Sequence, residues 1–131
     1  MKILIVDDDE INRKVLQKML IPYGECDAAV NGIEAIEAFK AAYREDQLYD
    51  LIFLDIMMPE MDGREALKKI REMETDLEIP LVDEAKIIMV TALDDPKELF
   101  HAYKHNCASY IVKPYTREQI DSAIKEINFA S

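Results

Sequence analysis

At the centre of the chain stands Leu51-Ile52-Phe53-Leu54-Asp55-Ile56-Met57-Met58-Pro59-Glu60-Met61-Asp62-Gly63, an apolar run that reaches one acid and then breaks at a proline and a glycine. A short apolar run bounded by turn residues is typical of a strand buried on both faces. Such a strand delivers Asp55 to a loop at its carboxyl end. Asp55 is therefore the first candidate functional residue.

Strand and helix signals alternate on both sides of this stretch. Mostly apolar runs predict further strands at residues 2–6, 25–30, 86–92 and 109–112. Residues at helical spacing predict five helices, which begin near residues 10, 31, 62, 95 and 116. Because parallel strands joined by right-handed helical crossovers leave few topologies, we predict one three-layer α/β domain over residues 1–131.

Polar residues before the helices indicate where each helix begins. Asn31 with Glu34, Asp62 with Glu65 and Thr116 with Gln119 have the spacing of N-terminal caps. Asp9 directly precedes the first helix and is equally compatible with a cap and with a functional acid. The apolar stripe of the second helix is predicted to include Ala35, Ile36, Phe39 and Tyr43. Residues 75–85 show no period and predict a loop.

Composition limits the classes of partner. The chain has 131 residues, of which 50% are hydrophobic, and a formal net charge of -11. This charge argues against direct binding to nucleic acid or an anionic membrane, since both favour basic surfaces. No run approaches about 20 apolar residues, so a cytoplasmic location is expected. Cys26 and Cys107 are predicted to be reduced packing residues rather than a disulfide.

Five polar residues stand at the carboxyl ends of predicted strands: Asp7, Asp8, Asp55, Thr91 and Lys113. Ligands of parallel α/β sheets bind beyond the carboxyl ends of the strands, so these side chains are expected to converge. Carboxylates packed together need a cation, and an all-oxygen donor set suits Mg²⁺ or Mn²⁺. A hydroxyl and an ammonium opposite the metal would hold an anion. The combination predicts phosphoryl transfer with Asp55 as nucleophile.

Each of these residues alone has an ordinary explanation. A strand-end acid is usually a turn or cap, a single lysine is usually solvated, and a threonine is common in strands. The prediction depends on their occurring together.

The motifs resemble those of the receiver domain of two-component response regulators. The matching segments are Ile3-Leu4-Ile5-Val6-Asp7-Asp8-Asp9, Leu54 to Gly63, Val90-Thr91-Ala92 and Tyr110-Ile111-Val112-Lys113-Pro114. They extend over essentially the whole chain.

The resemblance implies a flavodoxin-like (βα)5 fold whose five-stranded parallel sheet has the order 2-1-3-4-5. It implies that Asp55 accepts a phosphoryl group from a sensor histidine kinase or a histidine phosphotransfer protein. Asp8, Asp55 and the backbone carbonyl of Met57 would bind Mg²⁺, and Asp7 would act through water.

The resemblance also assigns roles at the last two strands. Thr91 and Lys113 would bind the phosphoryl group, and Thr91 and Tyr110 would form the coupled switch. The Lys113-Pro114 peptide bond is expected to be cis. A downstream protein target is implied, and the chain is expected to be a monomer or weak homodimer.

A partner surface is harder to assign. Leu99 and Tyr103 lie four residues apart on the predicted fourth helix, and could form an apolar patch with Tyr110 or simply pack that helix down. On the first helix, Ile11 is expected to be exposed and Val15 to be buried.

Two features depart from the family pattern. The interval from Asp55 to Thr91 is longer than in compact relatives, and residues 75–85 are interpreted as a surface insertion. Met57 and Leu93 stand where relatives often carry polar side chains that influence the hydrolytic water. We expect slow dephosphorylation as a result.

Three functional classes have to be distinguished. A phosphorylatable receiver, acting by protein contact, is favoured; the chain stops at Ser131 just after the last helix, so no attached output domain is expected. A phosphatase of the haloacid dehalogenase type needs a second acid two residues after its nucleophile, where this chain has Met57. A receiver that only binds would lack site residues that are present here. We therefore expect no enzyme beyond self-phosphorylation and slow autodephosphorylation.

Overall fold

A computed structural model describes residues 1–58, 60–92, 103 and 106–130. Its strands are β1 (Lys2–Val6), β2 (Glu25–Ala29), β3 (Leu51–Asp55), β4 (Lys86–Thr91) and β5 (Ser109–Val112). They form one parallel sheet in the order β2-β1-β3-β4-β5. The predicted α/β class and strand order are therefore confirmed.

Four α-helices lie within the described residues: α1 (Glu10–Leu20), α2 (Gly32–Arg44), α3 (Gly63–Asp76) and α4 (Arg117–Ala130). Two 3₁₀ turns, Ile21–Tyr23 and Leu81–Asp83, lie between elements. The helix predicted to begin near residue 95 falls outside the described residues, except for Tyr103, which is helical. None of the helices in the described ranges has the length and apolar character needed to span a membrane.

The helices begin where their capping residues predict. Asp9, Asn31 and Asp62 accept backbone hydrogen bonds as the N-caps of α1, α2 and α3. Thr116 and Gln119 form the predicted capping box, because the Thr116 hydroxyl accepts from the Gln119 N–H at 3.2 Å and Gln119 Oε1 accepts from the Thr116 N–H at 2.8 Å. Asp9 is thus a helix cap.

Each face of the sheet carries its own apolar core. Leu4 and Val6 of β1 face the core under α2 and α3, whereas Ile3 and Ile5 face the core under α1 and α4. This alternation follows from the two-residue period of a strand. The sheet is consequently covered on both faces. What stays open are the two ends of its strands, which we call the carboxyl edge and the amino edge of the sheet.

Two predicted packing positions are wrong. Val15 is exposed, because Leu16 and Leu20 form the buried stripe of α1. Tyr43 is exposed as well, because Ala42 continues the stripe of Phe39 toward the core. One residue along a helix turns the side chain by about 100°, so an apolar residue beside the stripe points to solvent.

The segment predicted as a loop at 75–85 is more ordered than its sequence indicates. Its first two residues complete α3, and Leu81–Asp83 forms a 3₁₀ turn. Cys26 and Cys107 are both free thiols, as predicted.

Candidate functional site

The central strands bring acids together at the carboxyl edge of the sheet. Val6 of β1 lies beside Leu54 of β3, so the next residues, Asp7 and Asp55, emerge side by side. One carboxylate oxygen from each of Asp7, Asp8 and Asp55 lies within 4.8 Å of the others. The acids meet, as the sequence predicts, because of this register.

Lys113 bridges two of these acids. Its Nζ donates to Asp7 Oδ2 at 3.0 Å and to Asp55 Oδ2 at 3.1 Å. The backbone places it there, because the Lys113 N–H donates to the Thr91 carbonyl at 2.7 Å and so continues the β4–β5 ladder. The Lys113–Pro114 bond is cis, as expected. The ammonium offsets part of the charge of the two carboxylates.

Backbone amides orient the same acids from the other side. Asp55 Oδ1 accepts from the Met57 N–H at 3.1 Å, and Asp7 Oδ1 accepts from the Asp9 N–H at 2.9 Å. Each carboxylate therefore turns one oxygen to the backbone and the other to Lys113. This arrangement fixes both side chains before any ligand arrives.

Burial sets the electrostatics of the site. Asp7 and Asp55 are only 5% and 4% exposed, whereas Asp8 is exposed. Burial raises the pKa of Asp55, and the neighbouring Asp7 adds to this, against the opposing effect of Lys113 and the Met57 N–H. For Lys113, burial alone would lower the pKa, but its hydrogen bonds to Asp7 and Asp55 raise it above the usual value. The ammonium stays charged at neutral pH.

Two supporting residues were missed by sequence reasoning. Arg13, in the first turns of α1, donates from Nη1 to the Asp7 carbonyl at 2.8 Å. Gly63 opens α3 so close to β3 that a Cβ there would lie 2.3 Å from the Asp55 carbonyl oxygen. The sequence signal for Gly63 was its place directly after the cap Asp62; Arg13 gave none, because an arginine on a helix usually faces solvent.

The remaining predicted residues lie around this centre. Thr91 is fully buried at the end of β4. Tyr110 of β5 is half-buried, pairs with Met89 and packs with Tyr103 against the core under α2 and α3. The Met57 side chain is exposed beside Asp55.

Of the predicted partner surface, Ile11 is exposed on α1 as expected, and Leu99 lies outside the described residues. The roles assigned to Thr91, Tyr110 and the Met57 carbonyl stay predictions.

The donor set fits a hard divalent cation. The three clustered carboxylates supply only oxygen, which is the ligand type of Mg²⁺ and Mn²⁺. Lys113 bridges Asp7 and Asp55, so the three carboxylates leave an excess of negative charge that such a cation would offset.

Known proteins resemble this chain in sequence and in architecture. The chain matches the response regulator receiver domain family over residues 3–125. It is 33% identical to the chemotaxis protein CheY of Halobacterium salinarum over 127 residues, which cover 96% of this chain and 95% of that protein. It is 36% identical to the hybrid signal transduction histidine kinase L of Dictyostelium discoideum over 126 residues, or 95% of this chain.

A solved structure shows the same fold. The CheX-CheY-BeF3-Mg²⁺ complex from Borrelia burgdorferi contains a chain that superposes with a TM-score of 0.81 at 28% identity, covering 97% of this chain and 88% of that one.

The relatives differ greatly in length. This chain spans 7% of the Dictyostelium kinase and 55% of the probable transcriptional regulator ycf29 of Porphyra purpurea, but 95% of the Halobacterium CheY. What this chain shares with each of them is a segment of 126 or 127 residues. This protein belongs to the response regulator receiver domain family of two-component signalling and is similar to CheY.

Proposed function

We propose that this chain is a phosphoacceptor that receives a phosphoryl group on Asp55 and changes its contacts with a downstream protein. The donor would be a sensor histidine kinase or a histidine phosphotransfer protein. The observation that carries this proposal is the Lys113 ammonium bridging two buried carboxylates, with the Asp8 carboxylate alongside. Burying like charges around one cation costs free energy, and such clusters are typical of functional sites.

The proposed reaction transfers the group from nitrogen to oxygen. An Asp55 carboxylate oxygen forms a bond to phosphorus while the bond from phosphorus to the donor's histidine nitrogen breaks. That nitrogen keeps the electron pair and takes a proton from water. Lys113 would bind an oxygen of the transferred group, and its Nζ lies 3.1 Å from Asp55 Oδ2, which supports this role.

Mg²⁺, held by Asp8, Asp55 and the Met57 carbonyl and by Asp7 through water, would supply positive charge to the phosphoryl oxygens. Support comes from the oxygen-only donor cluster and from the Mg²⁺ and BeF3 in the Borrelia complex. Asp8 is the exposed member of the cluster, so it offers the side from which a hydrated ion enters.

The signal would leave the site through β4 and β5. Thr91 is buried at the same edge, and its carbonyl is bonded to the Lys113 N–H. The Thr91 hydroxyl would bind the phosphoryl group, and Tyr110, which neighbours β4 through Met89, would follow it. Tyr103 and Tyr110, with Leu99 and Ile11 as further predicted contacts, would then present a changed surface to partners.

Intact mass spectrometry tests the acceptor. Incubation with acetyl phosphate and Mg²⁺ is expected to add one phosphoryl group, about 80 Da, to the wild type and none to Asp55→Asn. Asp50→Asn is the matched control, since Asp50 precedes the same strand at its other end and should leave the adduct intact. An adduct that persists in Asp55→Asn, or folded wild type that gains no mass, would contradict the proposal.

We also propose that the chain loses the phosphoryl group slowly, and the lifetime of the adduct tests this. Met57 is apolar and exposed beside Asp55, so it offers no group to orient a hydrolytic water. We expect loss of the adduct over minutes or longer, and several-fold faster loss in Met57→Asn. Leu81→Asn, at an exposed apolar residue far from Asp55, is the control. A half-life of seconds in the wild type would refute slow dephosphorylation.

A further inference from the structure

The opposite edge of the sheet carries an open groove of about 600 Å³ between the amino ends of β1, β3 and β4 and the last turns of α4. Apolar side chains, among them Leu51, Ile124 and Ile127, form its floor. Four acids stand around it: Asp46, Asp50, Asp83 and Glu84. None of these residues belongs to the site around Asp55.

An ordered turn forms one wall of the groove. Leu81 and Val82 are 80% and 89% exposed, two adjacent large apolar side chains in contact with water. Scattered single apolar residues are normal on a surface, whereas contiguous exposed apolar area is typical of contact sites. Val82 lines the groove and extends its apolar floor outward, and Leu81 precedes it in the same turn.

Hydrogen bonds hold this turn in place. The Asp83 N–H donates to the Pro80 carbonyl at 2.8 Å, and the Lys86 N–H donates to the Asp50 carbonyl at 3.0 Å. The Ala85 N–H donates to Glu74 Oε2 at 2.8 Å. A turn fixed in this way loses little conformational entropy when a partner binds it.

The anchor of the turn is itself a buried ion pair. Glu74 is 1% exposed and accepts from Arg71 Nη1 at 2.6 Å. Burying a carboxylate costs free energy, even with a paired arginine and a backbone donor, so the ordered turn is maintained at a cost to stability. It keeps Val82 at the wall of the groove.

Charge selects the occupant. Against the four acids, the positive groups that line the groove are Lys86 and the amino terminus at Met1. A second copy of this chain would bring another net charge of -11, so self-association through the groove is electrostatically opposed. We propose that the groove binds a segment of a partner protein in which lysine or arginine residues flank a large apolar side chain. The apolar side chain would enter the groove beside Val82, and the basic residues would pair with the acids.

This contact is independent of phosphorylation at Asp55. The groove lies at the amino ends of the strands, whereas Asp55 and Lys113 lie at the carboxyl ends. A partner segment can therefore occupy the groove while another protein reaches the acids.

A peptide titration locates the binding surface. The probe is a short synthetic peptide of leucine and lysine with one apolar and one basic face, and its counterpart has glutamate in place of lysine. Titrated into ¹⁵N-labelled protein, the lysine peptide is expected to shift amide signals at residues 46–51 and 81–86. The glutamate peptide is expected to shift none of them. Shifts spread evenly over the acidic surface would overturn the proposal.

Paired variants separate the groove from general attraction to an acidic protein. Asp83→Asn with Glu84→Gln is expected to weaken peptide binding by at least about tenfold. Glu37→Gln with Glu72→Gln removes the same charge from exposed positions on α2 and α3, and should weaken it less than about twofold. Equal weakening by both pairs would contradict a specific groove.

A second pair of variants tests the apolar contribution to peptide binding. Val82→Ser should weaken binding clearly more than Ile21→Ser, which alters another exposed apolar residue outside the groove. Thermal unfolding shows that each variant is folded, and either pair suffices if one variant of the other fails to fold. Shifts at 46–51 and 81–86 that appear with protein concentration alone would identify a second copy as the occupant and refute a basic partner.

Discussion

The two edges of the sheet carry acids of the same charge in opposite surroundings. At the carboxyl edge, Asp7 and Asp55 are buried and share one lysine. At the amino edge, Asp46 and Asp50 are exposed around an apolar groove. A buried carboxylate needs a cation or hydrogen-bond donors, whereas an exposed one is satisfied by water. Burial rather than the number of acids therefore distinguishes the edge at which we propose chemistry from the edge at which we propose a docking surface.

Removing the shared lysine should have the largest effect. Lys113→Met leaves two buried carboxylates without their ammonium, and we expect it to lower the free energy of unfolding at neutral pH by about 3 kcal/mol. The loss should shrink in acid, where the Asp55 carboxylate, whose pKa burial raises, is protonated. Urea denaturation at several pH values measures both effects.

The control for this variant is Lys125→Met, which removes an exposed lysine from α4. Its effect should stay below about 0.5 kcal/mol. If both variants lose equal stability, the contrast between the edges has no energetic basis.

Glu74 is a buried acid on the groove side. Its titration tests whether burial shifts the pKa of a carboxylate there too. Burial raises its pKa, although Arg71 and the Ala85 N–H oppose this. The folded protein thus holds this proton more tightly than the unfolded chain, so the stability contributed is complete below the unfolded pKa and is lost as pH rises through the folded pKa. From about pH 4 to pH 8, the stability of the wild type should therefore fall relative to Glu74→Gln.

Glu72→Gln, at an exposed position on the same helix, should show no such relative change. Thermal or urea unfolding across this pH range provides the comparison. A flat difference for Glu74→Gln would mean that Glu74 titrates alike in both states.

The smallest effect is expected at the groove wall. Val82→Asn should change the free energy of unfolding by less than about 0.5 kcal/mol, because Val82 is exposed in the folded protein. Val90→Asn, in buried β4, should cost about 3 kcal/mol by placing an amide in the core. A large loss in Val82→Asn would show that this side chain stabilises the fold and is not reserved for a partner.

Much of the carboxyl edge could be predicted from the sequence because its signals are local. Asp55 and Lys113 stand directly after apolar runs, and parallel strands must place such ends together. The caps at Asn31 and Asp62 are local as well.

The amino edge could not be predicted, because its parts meet through long-range contacts. Glu74 resembles an ordinary surface acid of a helix until the chain returns and its carboxylate meets the Ala85 N–H. The turn at Leu81 has no periodicity, and its exposed side chains resemble core residues in sequence. Val15 was predicted to be buried but is exposed, since hydrophobicity alone does not fix which side of a helix faces the sheet.

The separation of the two edges has a consequence for encounter rates. A five-residue strand such as β3 spans roughly 17 Å, so a ligand seated at Leu51 leaves the region of Asp55 uncovered. If the groove-binding segment belonged to the same polypeptide as the phosphoryl donor, it would tether the two proteins. The effective concentration of donor near Asp55 would then reach about millimolar for a short flexible connection. A weak contact at one edge could in this way decide which of several donors is used at the other.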